Sequence, residues 1–224
     1  MSRGRHRCHP QGVAFEVVPP TFPETLSRAA WPRPQDYARE TAAGKAREVA
    51  ARVAQEDAET PTLVIGADTV VAVEGRILEK PKDREDAVAM LRRLSGKQHS
   101  VITGVALVTW GGAAGPAQEV TAFHEETRVT FSPLSEALIR EYVDGGEGRD
   151  KAGAYAIQGR GAMLVEGVAG DVLAAVGFPL NRFCRELARA LPGAPGSDVT
   201  APAAGAQEEV TSPATGSDDL DGRK

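Results

Sequence analysis

Cysteine is almost missing from this chain: Cys8 and Cys184 are the two in 224 residues. They lie far apart in sequence and form no Cys-x-x-Cys pattern, so neither a disulfide framework nor a thiolate zinc site is indicated. Both read as free thiols, Cys184 on the apolar face of a helix. No apolar run approaches the roughly 20 residues that a membrane span needs. The opening MSRGRHRCHP lacks the apolar core of a secretory signal, so the expected compartment is the cytoplasm. Excess positive charge is lacking too. The formal net charge of −5 argues against nucleic-acid binding, which calls for a basic surface, and Arg3, Arg5 and Arg7 are a short, local cluster. There is no internal repeat.

What remains has the composition of a soluble globular domain, with 42% hydrophobic and 25% charged residues. The first 34 residues read as loop apart from a strand-like stretch, Val13 to Val18. From about Asp36, a plausible cap, to Gln55, the residues Ala38, Ala42, Ala46, Val49, Ala50 and Val53 recur at helical spacing and predict a long amphipathic helix. Thr62 to Ile65 and Thr69 to Val73 predict short strands on either side of Gly66-Ala67-Asp68. Glu74-Gly75 then turns the chain toward Arg76 to Leu78. Asp83 caps the next predicted helix, whose stripe is Ala87, Met90, Leu91 and Leu94 and whose stop is Gly96.

Ser100 to Thr109 and Glu119 to Phe131 predict a hairpin of longer strands, joined by the loop Gly111 to Pro116. Ser132-Pro133 opens a third predicted helix through Val143. Ala162 to Val165 and Asp171 to Val176 predict two short strands. A closing helix carries Leu180, Phe183, Cys184, Leu187 and Leu191. Residues 193–224 hold too few large apolar side chains to offset the entropy of ordering and read as a disordered acidic tail or linker. The succession predicts an α/β or α+β domain with a mixed sheet flanked by helices.

Three polar groups stand out against that pattern. Asp68, between two β-branched runs, reads either as a turn residue bonding nearby amides or as a strand-end carboxylate facing a crevice. In the second case it can bind a divalent cation or take a proton from water. Glu79-Lys80 before Pro81 reads as a solvated pair, and Lys45 as an ordinary helix lysine facing water. The segment from Asp150 to Gly159 surrounds Lys151, Tyr155 and Gln158 with small residues. It is either a Gly-rich turn or a binding segment, in which Gln158 has the donor and acceptor to read a base edge and the lysine the charge for phosphate.

Gly66-Ala67-Asp68-Thr69, Leu78-Glu79-Lys80-Pro81, Leu94-Ser95-Gly96, His99 to Gly104, Asp150 to Gly159 and Val176-Gly177-Phe178-Pro179-Leu180 stand in an order that resembles the Maf family of nucleoside triphosphate pyrophosphatases. The resemblance covers residues 13–192. Gly66 to Val105 is most similar to the branch in which a Maf domain precedes a methyltransferase-like domain, so the chain is expected to correspond to the N-terminal half of that arrangement. The resemblance implies a twisted mixed sheet of the Maf/inosine-triphosphatase type flanked by helices, with a central cleft. It implies hydrolysis of dTTP, UTP and modified pyrimidine nucleotides to the monophosphate and pyrophosphate with Mg2+ or Mn2+.

By the same resemblance Asp68 is the proton acceptor, Glu24 and Asp68 hold the metal, and Lys45 and Lys80 neutralise the triphosphate. Thr69 and Gln158 contact the base or its surroundings, and a homodimer is the expected assembly. One departure stands beside these matches. Residues 1–12, MSRGRHRCHPQG, hold neither the apolar strand nor the Ser-x-Ser-Pro-Arg-Arg loop with which the family begins. Losing two charge-assisted phosphate contacts costs about two to four decades in binding or rate. A catalytically impaired nucleotide-binding or scaffolding module therefore stands as the alternative function. A further small difference is Ala156, where many relatives have Gly.

Overall fold

Alanines 38, 42, 46 and 50 fall four apart, and in the computed structural model they form the buried stripe of a long helix, α1 (Pro34–Glu56). The structure describes residues 15–23, 26–57, 60–110 and 118–190. The segment 1–12, Glu24, the loop 111–116 and the tail 193–224 lie outside the described residues. Helix α1 starts earlier than its predicted cap. Pro34 takes the first turn, where its missing N–H costs nothing, and Asp36 lies within that turn, paired with Arg33 and, at 2.9 Å, with Arg39.

The sheet contains β1 (Thr62–Val73), β2 (Arg76–Leu78), β3 (Gln98–Trp110), β4 (Gln118–Phe131) and β5 (Val165–Ala169), in the order β2-β1-β3-β4-β5. The helices that flank it bear out the α/β layering. Every pairing among the described strands is antiparallel, where alternating helices and strands suggested a mixed sheet. The β1–β2 turn uses Glu74 at φ 50° and Gly75 at φ 72°, the two positive angles of a tight hairpin.

The predicted break at Gly66-Ala67-Asp68 does not occur. Residues 62–72 pair without interruption against β3, Asp68 opposite Gly104. Pairing uses backbone groups alone, so a polar side chain interrupts nothing if its face of the sheet has room for it.

Two helices cover the opposite face from α1: α2 (Arg84–Leu94) and α3 (Glu136–Asp144). Asp83 caps α2 by accepting from the Asp86 N–H at 2.8 Å, and Gly96 leaves it at φ 65°, as predicted. Helix α3 is capped by Ser135, not opened by Ser132-Pro133. The Ser132 N–H donates to the Leu164 carbonyl and its own carbonyl accepts from Gly96, so this residue is held in an extended path.

Asp171 to Val176 is a helical turn, α4 (Val172–Val176), rather than a strand. The Asp171 side chain accepts from the Leu173 N–H at 2.8 Å and starts a helix there. Ala162 to Leu164 belong to a 3-10 helix spanning Gly159–Leu164, and the strand begins only at Val165. Residues 15–18 form no strand. The last helix, α5 (Leu180–Ala190), lies where its apolar pattern predicted.

The core divides along the sheet. On one face Ala42, Ala46 and Ala50 meet Ala106 and Val108, while Tyr37 and Ala38 meet Val70 and Ile102. On the other, Val71, Val101, Val129 and Phe131 meet Leu91, Leu94, Ile139 and Tyr142, and Phe183 of α5 joins Val105, Leu107 and Phe123. Helix α1 lies so close to the sheet that a Cβ on Gly66 would stand 2.3 Å from the Ala42 carbonyl oxygen. One on Gly104 would stand 2.5 Å from that of Ala38. Two glycines facing an alanine stripe thus set the depth of the helix, and with it the height of Lys45 above β1.

Candidate active site

Strand β2 pairs only with Val71–Val73, so residues 62–70 of β1 form an edge of the described sheet. At that edge opens a cavity of about 280 Å3 that takes side chains from both faces. Asp68 is therefore a mid-strand residue at a sheet edge, neither the turn residue nor the strand-end carboxylate of the sequence reading. From α1, Lys45 Nζ donates to Asp68 Oδ1 at 2.7 Å, and each side chain is 13% exposed. Lys45 is thus turned into the cavity and away from the solvent-facing position that its helix propensity suggested.

Thr69 points to the opposite face, as strand alternation requires. Its hydroxyl lies 2.8 Å from that of Thr103, which donates to the Ala174 carbonyl at 2.8 Å. With the Thr103 proton committed to Ala174, the Thr69 hydroxyl is the donor of the pair. Thr127 likewise donates to the Asp171 carbonyl at 2.6 Å. These two buried threonines fasten α4 to the sheet, and the residues that follow, Ala175, Val176 and Gly177, form part of the cavity wall.

Lys80 lines the cavity while its neighbour Glu79 turns toward α1. The Tyr37 hydroxyl donates to Glu79 at 2.6 Å, and Arg28 pairs with the other carboxylate oxygen. Burial, then the hydrogen bond to Glu79 and its negative charge, push the Tyr37 phenol up to about 12. The Glu79 carbonyl also accepts from the Gly153 N–H at 3.1 Å. The two residues read as one solvated pair therefore do separate work.

The segment from Asp150 to Gly159 forms the facing wall and carries Gln158 to the rim. Gly153 at φ 72° sits where a Cβ would come 2.9 Å from a methyl of Val71. Ala154 follows at φ 62°, a conformation uncommon for a residue with a side chain. Next to it the Tyr155 hydroxyl lies 2.8 Å from His99 Nε2 in a buried cluster with Phe131. Burial pushes the His99 imidazole down to about 4 and the Tyr155 phenol upward. The hydrogen bond from Lys151 holds the Asp150 carboxyl below its ordinary value, and the charge of Lys80 adds to this.

Asp68, Lys45, Thr69, Lys80 and Gln158 thus meet around one cavity, while Glu24 lies outside the described residues. Asp150, Lys151 and Tyr155 line it too. Their signal in the sequence was the density of small residues around them. Thr103 was missed, although a hydroxyl among the apolar residues of 101–108 marked it.

No group of three His, Cys, Asp or Glu side chains converges as a metal cage among the described residues. Two carboxylates, Asp68 and Asp150, do line the cavity. Such hard oxygen donors fit a cation of the Mg2+ kind, which usually takes one or two carboxylates together with substrate phosphates. Among the described residues no helix is long and apolar enough to cross a membrane.

Residues 2–190 match the family described as Maf-like protein. The chain belongs to the Maf family. It is 55% identical over 179 residues to a human protein named "Probable bifunctional dTTP/UTP pyrophosphatase/methyltransferase protein", an alignment covering 80% of this chain and 29% of that one. The chain thus spans under a third of that relative. It is 41% identical over 173 residues to the dTTP/UTP pyrophosphatase of Carboxydothermus hydrogenoformans, covering 77% of this chain and 86% of the relative. With the dTTP/UTP pyrophosphatase of Symbiobacterium thermophilum it shares 43% identity over 176 residues, 79% of this chain and 83% of the relative. In this Maf domain five of the six ordered motifs of the sequence contribute to the cavity at the β1 edge, and Leu94-Ser95-Gly96 does not.

Proposed function

We propose that the chain is a nucleoside triphosphate pyrophosphatase that converts dTTP or UTP, and modified pyrimidine nucleotides, to the monophosphate and pyrophosphate in the β1-edge cavity. The observation that carries this reading is the Lys45–Asp68 pair at 2.7 Å, on the wall of a cavity that Lys80 and Gln158 also line. The names of the human and bacterial relatives agree with it.

In this mechanism a water attacks the α-phosphorus and its proton passes to Asp68. The bond from that phosphorus to the α,β-bridging oxygen breaks, and pyrophosphate leaves with the oxygen. Lys45 orients the carboxylate and, with Lys80 in the cavity lining, offsets the charge gathered on the phosphates. Asp68 and Glu24 would hold Mg2+ or Mn2+, which when bound supplies further neutralisation of phosphate oxygens. Thr69, turned to the other side of β1, adds a hydroxyl beside the nucleotide. Gln158 meets the base with one donor and one acceptor. The cytoplasm is the proposed compartment and a homodimer the proposed assembly, the latter tested by light scattering.

Purified protein supplied with Mg2+ or Mn2+ is expected to release pyrophosphate from dTTP and UTP. No release with either metal would overturn the reading. The sequence of residues 1–12 favours a second one, since no Ser-x-Ser-Pro-Arg-Arg loop stands there. A catalytically impaired module would bind UTP in calorimetry without turning it over, and grafting the strand and loop would restore hydrolysis.

A further inference from the structure

Gln158 stands between two short stretches of backbone that are tied to the same side-chain pair. Glu147 accepts the Arg160 N–H on Oε1 at 2.9 Å and the Gly161 N–H on Oε2 at 2.8 Å. Its Oε2 also accepts the Tyr142 hydroxyl at 2.7 Å, and the Tyr142 oxygen in turn accepts the Ala156 N–H at 3.1 Å. The backbone is thus held two residues before Gln158 and again two and three residues after it.

The sequence around the carboxylate is shaped to admit it. Gly159, at φ 80°, lies where a Cβ would stand 2.2 Å from Glu147 Oε1. A Cβ on Gly161 would stand 1.9 Å from the Ala156 carbonyl oxygen and 2.9 Å from the Tyr142 hydroxyl. Tyr142 itself is buried in the main core against α2 and the sheet. The tie therefore runs from rigid core to the cavity rim. Ala156, Ile157 and Gln158 line the cavity, whereas Glu147, Tyr142, Arg160 and Gly161 stand behind them outside its lining.

We infer that Glu147, acting with Tyr142, is a positioning residue for base selection: it holds the 156–161 backbone so that the Gln158 carboxamide meets the pyrimidine in one orientation. This rests on the proposed reading of Gln158 as the base contact. The amides concerned would otherwise be loop groups free to exchange their partners for water, and an untethered Gln158 would offer its donor and acceptor in many directions. Selectivity for one base edge requires that freedom to be removed before binding.

The test uses the full chain with E147Q, Y142F and Q158A. The E147Q side chain keeps the shape, but whichever way its amide turns, an NH2 faces either the Arg160 or the Gly161 N–H. We expect E147Q to lower the kcat/KM ratio of UTP over GTP by about tenfold, the worth of one neutral hydrogen bond between Gln158 and the base. The change should appear mainly in KM for UTP, with kcat on UTP little altered, and Q158A should lower the same ratio. Hydrogen exchange supplies a readout independent of turnover: the Ala156, Arg160 and Gly161 amides, protected in the parent protein, should lose protection in E147Q.

Y142F should expose Ala156 in the same way, and it serves if E147Q does not fold. Unchanged selectivity in E147Q beside altered selectivity in Q158A would overturn the positioning role. Unchanged selectivity in Q158A would overturn the reading of Gln158 as the base contact. Equal exchange at all three amides in the parent and in both latch variants would overturn the tether itself, whatever the activity.

Discussion

Lys45 and Asp68 form a 2.7 Å ion pair across the interface between α1 and β1, both largely withdrawn from solvent. The pair exists because Gly66 and Gly104 let an alanine-faced helix settle onto the sheet. Chemistry and packing are therefore joined at one contact, and they are separated by the following variants.

Asp68→Asn keeps the shape and removes the proton acceptor. Pyrophosphate release from UTP should fall by about 10^2 to 10^4, the usual worth of a general base, with the circular dichroism spectrum and melting curve close to those of the parent. Full activity in this variant would exclude Asp68 as the base.

Gly104→Ala places a methyl against the Ala38 backbone. Overpacking of this kind costs about 1–3 kcal/mol, or a melting point lower by about 2–4 °C per kcal/mol in a domain of this size. Because the helix must lift, Lys45 should separate from Asp68 and hydrolysis should fall in parallel. A variant with parent-like melting would mean that the helix does not rest on this glycine.

Thr103→Val removes the donor to the Ala174 carbonyl and the acceptor for Thr69. A buried carbonyl left without its donor costs about 1–3 kcal/mol. Thermal denaturation should show that loss, and Thr103→Ser should recover most of it. Equal stability of the valine and serine variants would show that α4 is held by other contacts.

His99 is buried, and its imidazole is pushed down to about 4 from an ordinary 6.5. The unfolded chain then binds more protons than the folded one between these values, so stability is complete above about 6.5 and declines as pH falls toward 4. The full shift corresponds to about 3 kcal/mol. Melting followed from pH 7 to pH 4 should fall more steeply for the parent than for His99→Gln, and parallel curves would remove His99 as a cause.

Gln158→Glu replaces a donor and acceptor by two acceptors. We expect an altered order of preference among nucleoside triphosphates with unchanged melting. Identical relative rates on every nucleotide before and after the change would count against a role in selection.

Helices α1, α2 and α5 were legible because their apolar stripes keep one period over several turns. The β3–β4 hairpin was legible because two long β-branched runs flank a Gly-rich loop. Errors fell where a side chain's local preference competed with partners far away in sequence. Asp68 resembled a turn residue, yet eleven consecutive pairings with β3 run through it. Ser132-Pro133 looked like a helix start, yet Gly96 and Leu164 hold Ser132 extended. Asp171 to Val176 had strand composition, but a capping aspartate and two distant threonines fold it as a helical turn.

By itself the sequence determined the order of the elements, the apolar stripes of the long helices and the residue types available for chemistry, since all of these depend on spacing along one chain. Only the tertiary structure decided that Asp68 lies at a sheet edge, that Lys45 faces it, and that Glu147 and Tyr142 tie down the backbone around Gln158. Each of those relations joins residues whose proximity comes from the close seating of α1 on the sheet or from the folding of one loop back on itself. Such proximity is a property of packing that no local pattern encodes.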